Sequence, residues 1–134
     1  MAKAARDDGE PGAVKALRAE RFLRGYQRLW MNAADDQIIV FLYQFVDTSG
    51  AAADYRRSLR EEGSSAPRGA SRFAIPGLSP SHATGFAAAV GSRSVAVAIA
   101  VTGTFVMQVV CNAKSARGLK TQLVTVASKQ FNRL

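Results

Sequence analysis

The residues best suited to recognition fall in one short run. Phe22, Arg24, Tyr26, Arg28 and Trp30 alternate with other side chains, so an extended backbone would place all five on one face. Rings alternating with guanidinium groups on a sheet face can hold single-stranded nucleic acid. Bases stack on the rings at roughly 1–3 kcal/mol each, while the arginines hold phosphate. The same pattern has a structural reading, in which the rings pack under a helix and the arginines cover them by cation–π contact. A second recognition candidate is the Pro- and Ser-rich stretch 63–82, which carries Arg68, Arg72 and His82.

Catalytic groups are sparse. His82 follows Ser79-Pro80-Ser81, and a serine beside a histidine suggests nucleophilic chemistry. That chemistry needs a base within hydrogen-bond reach and a third group to orient it. No G-x-S-x-G turn surrounds these residues, and no Asp or Glu occurs after Glu62. Cys111 ends an apolar run, where a cysteine behaves as a small hydrophobe unless a neighbour lowers its pKa. Gly118-Leu119-Lys120-Thr121 has the glycine and lysine of a phosphate loop at the wrong spacing and is expected to lie within a helix. Asp35-Asp36 is the natural metal candidate, but two adjacent acids between strands are turn formers first. One Cys excludes an internal disulfide framework, and one His with one Cys argues against an N/S zinc site. No cofactor and no catalytic residue is expected, and the sequence reads as a non-enzyme.

The charge is lopsided. Lys and Arg number 18 and Asp and Glu 10, a net of +8. All ten acids lie at or before Glu62, where they balance ten bases; the eight remaining bases carry the whole excess. A field of one sign attracts anions, whether nucleic acid or an acidic surface, and also keeps a protein soluble.

The elements that must position these groups follow from periodicity. Residues 1–12 (MAKAARDDGEPG) read as a disordered leader with no export signal, and residues 13–134 as one domain. A short helix is expected over Ala13 to Ala19. Residues 20–31 carry aromatics at both helical and strand spacing; Gly25 and the pleat-fitting rings favour strand. The turn cluster Asn32 to Asp36 joins it to Gln37 to Phe45 (QIIVFLYQF), a buried strand, making a hairpin. Asp47 or Ser49 caps a helix whose stripe is Ala52, Tyr55 and Leu59, with Arg56, Arg57, Arg60, Glu61 and Glu62 in water and Gly63 as its stop. Residues 63–82 form a long loop in which Phe73 and Ile75 can pair briefly with a sheet edge. Three strands follow, Thr84 to Val90, Arg93 to Val101 and Thr104 to Cys111, joined by Gly91-Ser92 and Thr102-Gly103. The middle one puts Val95, Val97, Ile99 and Val101 on one face and Ala96, Ala98 and Ala100 on the other, so the Ala face is either solvated or admits a close helix. The last helix spans Ser115 to Arg133, with Leu119, Leu123, Val126, Ala127, Phe131 and Leu134 as its stripe. The order is β-β-α-β-β-β-α: an α+β fold with an antiparallel sheet of about five strands covered by two helices. No apolar run reaches the roughly 18 residues of a membrane span.

Several stretches together resemble a known group. Arg18 to Trp30 (RAERFLRGYQRLW) leads to Phe45-Val46-Asp47 and a helix opening Gly50-Ala51-Ala52. Ile75-Pro76-Gly77, a Gly-turned strand pair and a closing VASKQFNRL follow. Over residues 17–134 this resembles small actinobacterial α+β domains, often exported or lipid-anchored, similar in fold to the PsbP and Mog1 proteins. The resemblance implies that architecture and a cell-envelope setting, and carries over no functional residue. The expectation is a non-enzymatic binding or assembly domain acting through a surface, on a protein partner or an anionic envelope ligand. Homo-oligomerisation through an open sheet edge is possible. The alternatives are a single-stranded nucleic-acid binder using Arg24, Tyr26, Arg28 and Trp30, and an enzyme subunit completed by another chain, for which a polar enclosed pocket around His82 would speak.

Overall fold

The computed structural model describes residues 12–65 and 71–134. In chain order the elements are α1 (Ala13–Ala19), β1 (Phe22–Met31), β2 (Gln37–Phe45), α2 (Thr48–Ser65), β3 (Ser71–Phe73), β4 (Ala83–Val90), β5 (Arg93–Thr102), β6 (Phe105–Ala113) and α3 (Leu119–Phe131). Among the described residues the strands form one antiparallel sheet in the order β1-β2-β6-β5-β4-β3. The α+β class is as expected, with three helices among the described residues, and six strands there because the Phe73 segment does pair with β4. The expected leader falls almost wholly outside the described residues, as does Arg68.

Both faces of the sheet's centre are covered, and β5 decides how. Its larger residues, Val97, Ile99 and Val101, are buried with Tyr43, Phe45, Val106, Phe86, Leu17, Ala51 and Tyr55 under α2 and α1. Its Ala96, Ala98 and Ala100 are equally buried, on the opposite face, with Met107, Val109, Leu119, Leu123 and Ala127. The small side chains let α3 lie close to the sheet, so the Ala face is a second core. Fully burying a residue such as Leu123 contributes about 1.5–3 kcal/mol.

Several boundaries differ from expectation. Gly63 does not stop α2, which continues to Ser65; a glycine inside a helix weakens it but need not end it. With β3 this shortens the loop expected over 63–82 at one end and interrupts it. Arg57 is not in water: its side chain is 12% exposed and contacts Glu20, Asp54 and Glu61. Helix α3 begins only at Leu119, with Gly118 as its cap at φ 73°, so Gly118 precedes the helix instead of lying in it. Leu134 is 43% exposed and leaves the expected stripe.

Two corners fix the β1–β2 hairpin. At its base α1 meets the start of α2 so closely that a Cβ on Gly50 would lie 2.0 Å from the Glu20 carbonyl oxygen. Arg21 turns the chain into β1 at φ 61° and its guanidinium donates to Asp47 at 2.6 Å. At the tip the Asn32 side-chain oxygen accepts the N–H groups of Ala34 and Asp36 at 2.9 and 3.0 Å, an Asx-type turn. Arg93 on β5 donates to the Asp35 carbonyl at 2.7 Å and to the Asn112 side chain, while the Lys114 N–H donates to Asp36 at 3.1 Å. The hairpin tip is thereby tied to the body of the sheet.

Candidate functional site

Strand β1 is the least covered element. It is ten residues long, and all but Phe22 are exposed. Phe22 anchors it, packing edge-on against Tyr43 and Phe45 at 5.7 and 5.9 Å between centroids. The register slips between Phe22 and Arg24: Phe22 sits opposite Phe45, Arg24 opposite Gln44. This bulge moves Phe22 to the α2 side and corrects the five-residue face expected from simple alternation. Arg24, Tyr26, Arg28 and Trp30 remain together on the α3 side, opposite Gln44, Leu42, Val40 and Ile38.

On that side each arginine leans on the next ring. The Arg24 guanidinium lies 5.9 Å from the Tyr26 centroid and that of Arg28 5.9 Å from Trp30, while Arg24 Nε donates to Gln44 at 2.6 Å. The rings do not pack under a helix: Tyr26 is 55% exposed and Trp30 42%. The cation–π pairs of the structural reading do form, but on an open face with no helix over the rings. The other side of β1 carries Gly25, Gln27, Leu29 and Met31, with Leu29 51% and Met31 58% exposed. Leu23, at the bulge, is exposed too. Sequence reasoning missed these apolar residues. Their signal was the apolar character of Leu23, Leu29 and Met31, which becomes telling only once β1 is known to be an edge.

Beside this row runs a groove of about 560 Å³ between α3 and β2, lined by Asp36, Ile38, Arg117, Leu119, Thr121, Gln122, Thr125 and Val126 among others. Ile38 is the cross-strand partner of Trp30, so the groove borders the Arg/aromatic row. Asp36 at its end is held below the usual carboxylate range by the Asn32 side chain and the Lys114 N–H, with Arg93 and Lys114 adding charge attraction.

The other sequence candidates are not brought here. Arg72 lies on β3 with its guanidinium 5.7 Å from the Phe86 ring, at the opposite edge of the six-stranded order, about 24 Å away at normal strand spacing. His82, in the turn before β4, is exposed, and its Nδ1 is 3.4 Å from Ser81 Oγ, which in turn lies 2.8 Å from Ser79 Oγ. The hollow beside it holds about 300 Å³, and His82 is the one titratable group among its described lining residues. Cys111 is fully buried, and burial pushes its thiol up to about 11. Among the described residues no three His, Cys, Asp or Glu side chains are grouped to hold a metal ion. No described helix is long and apolar enough to cross a membrane.

Comparison with known proteins yields fold and no family. No family model and no curated protein matches the chain. Among solved structures it is similar to the extracellular domain of PknH from Mycobacterium tuberculosis, with a TM-score of 0.61 at 10% identity, over 90% of this chain and 70% of that one. A GTP-binding regulator from Thermotoga maritima matches with a TM-score of 0.35 at 12% identity, over 85% and 80% of the two chains. The first shares the α+β architecture of this chain; at such identity the likeness concerns the fold alone.

Proposed function

We propose that this chain is a non-enzymatic docking domain that takes a strand of a protein partner on the outer edge of β1. The carrying observation is that β1 is a ten-residue edge strand exposed on both of its faces. A long edge offers unpaired backbone groups, which soluble domains usually shorten, charge or cover. Strand addition satisfies those groups and lets alternate side chains supply specificity. Tyr, Trp, Met and Arg are the residues enriched at protein interfaces, and here they gather on one strand. The opposite edge illustrates the usual protection, since β3 has only three residues and one of them is the charged Arg72.

The PsbP/Mog1-like reading of the sequence and the likeness to an extracellular domain support an envelope setting for this docking. A photo-crosslinking residue at Leu29, with one at Arg56 on α2 as control, tests the reading in the cells that make the protein. Light-dependent adducts at Leu29 and none at Arg56 are expected. Equal or absent adducts at Leu29 would remove it.

The second reading is single-stranded nucleic-acid binding, favoured by the exposed row Arg24, Tyr26, Arg28 and Trp30. It uses one face of β1 and leaves Leu29 and Met31 without a role, so the docking reading ranks first. The chain has one tryptophan, which makes Trp30 its own reporter. Quenching of its fluorescence by oligo-dT at low salt, lost steeply as salt rises, would reverse that ranking.

A further inference from the structure

We propose that the strand taken by β1 is β1 of a second copy, paired antiparallel about a two-fold axis through Gln27. The proposal rests on the docking reading and names its occupant. The Asn32 N–H donates to the Asp36 carbonyl at 3.1 Å, continuing the β1–β2 register. Hydrogen-bonded and non-bonded pairs alternate along an antiparallel ladder. Beyond the bulge, from Arg24 onward, the even-numbered residues of β1 therefore bond to β2, and Gly25, Gln27 and Leu29 turn their N–H and C=O groups outward.

Side-chain charge then selects the register. Two copies joined in one continuous sheet keep like faces together, so residues of the same parity sit opposite one another. An axis through Tyr26 would place Arg24 opposite Arg28, and an axis through Arg28 would place that residue opposite itself. Like charges directly opposite are destabilising. With the axis at Gln27, Arg24 faces Trp30 of the other copy and Arg28 faces Tyr26. Every arginine then has a ring beside it along its own strand and a ring across the interface, extending the contacts already present at 5.9 Å. On the other side Gly25 faces Leu29, and Leu23 lies opposite Met31. Registers displaced further leave the exposed rings or Met31 unpaired. The patch is thus complementary to itself, as a two-fold interface requires.

Three measurements test this on the purified full chain. Sedimentation at tens of micromolar is expected to give twice the 14.3 kDa chain mass. Gln27→Pro should halve it to the monomer mass, because the ring removes only an outward N–H and proline is tolerated on edges. Leu29→Lys, which leaves the backbone intact, should do the same. For the register, a thiol crosslinker spanning a few ångströms should join Gln27→Cys copies efficiently. Leu23→Cys should stay unlinked, since residues 23 of the two copies would lie about 27 Å apart; the shielded Cys111 stays silent. A monomer at all concentrations overturns the proposal. So does a dimer that both edge variants leave intact, or one in which Leu23→Cys links as readily as Gln27→Cys. The in-cell crosslink separates the two levels: adducts at Leu29 of masses other than a doubled chain sink the second copy and keep the docking edge, whereas no adduct sinks both.

Discussion

Replacing Arg57 by methionine should cost this fold more than any other single charge removal. The guanidinium is gripped on three sides. Nε and Nη2 donate to the two oxygens of Glu20 at 2.9 and 3.2 Å, Nη2 to Asp54 at 2.5 Å, and Nη1 to Glu61 at 3.0 and 3.2 Å. Glu20 and Asp54 are only 9% and 1% exposed, so solvent screens them little. Removing the cation leaves carboxylates in a place where they are poorly hydrated, a change that typically costs about 3–5 kcal/mol. For a chain of this length that corresponds to a melting temperature lower by about 10–20 °C. Thermal unfolding followed by circular dichroism at pH 7 reads it directly. A control separates charge from packing: Glu20→Gln combined with Arg57→Met should recover part of the loss, because one stranded carboxylate is gone. Glu20 closes α1 where the chain turns into β1, so the latch also holds the base of the docking strand against α2. Faster hydrogen exchange of the Arg21 and Val46 amides in Arg57→Met should accompany the lower melting temperature, since the Arg21 N–H donates to the Arg18 carbonyl at 3.1 Å and the Val46 N–H to the Arg21 carbonyl at 3.0 Å. A melting temperature within about 3 °C of wild type would refute the reasoning and make the cluster a solvated surface network.

The remaining expectations concern the two corners and the thiol. Gly50→Ala should destabilise by at least about 1–3 kcal/mol, since its Cβ would meet backbone at 2.0 Å and one helix must shift; denaturant titration measures it. Asp36 and Asp47 both have lowered pKa values, Asp36 through Asn32 and the Lys114 N–H and Asp47 through the Gly50 N–H and Ser49. Each therefore contributes stability that is present above the unfolded carboxylate pKa near ~4 and is lost as pH falls through the lower folded value. Asp36→Asn and Asp47→Asn should flatten the acid limb of the stability curve below about pH 4, and an unchanged limb would contradict the assignment. Cys111, at about 11 and fully buried, should resist a thiol-specific reagent at pH 8 in the folded protein and react completely in denaturant.

How much of this could be read in advance depends on whether a decision was local. The β1–β2 hairpin was legible because Asn32 to Asp36 is a turn by its own chemistry and QIIVFLYQF, rich in β-branched and aromatic residues, favours a strand. The size sorting in β5 was legible too, but it left two outcomes for the Ala face. Only the partner decides between them: α3 brings Leu119, Leu123 and Ala127, which are buried in one cluster with the alanines. Arg57 defeated sequence reading for the same reason. Helical spacing put it beside Arg56 and Arg60, and nothing local reveals that Glu20, 37 residues earlier, returns to meet it.

The docking strand shows where local and global information divide. Alternation correctly grouped Arg24, Tyr26, Arg28 and Trp30, whereas the bulge that sends Phe22 to the α2 side depends on Tyr43 and Phe45 receiving its ring. Arg68, Arg72 and His82 formed a second candidate on charge and loop character alone. Topology separates Arg72 and His82 from the row, because β4 and β3 add to the far side of β5 while β1 adds to the near side of β2. That same topology gives Leu29 and Met31 their meaning. On an inner strand they would be ordinary core residues, and on an edge open to water they are apolar surface that a second strand can cover. The candidate site is therefore a property of strand order, read through residues whose types were visible from the start.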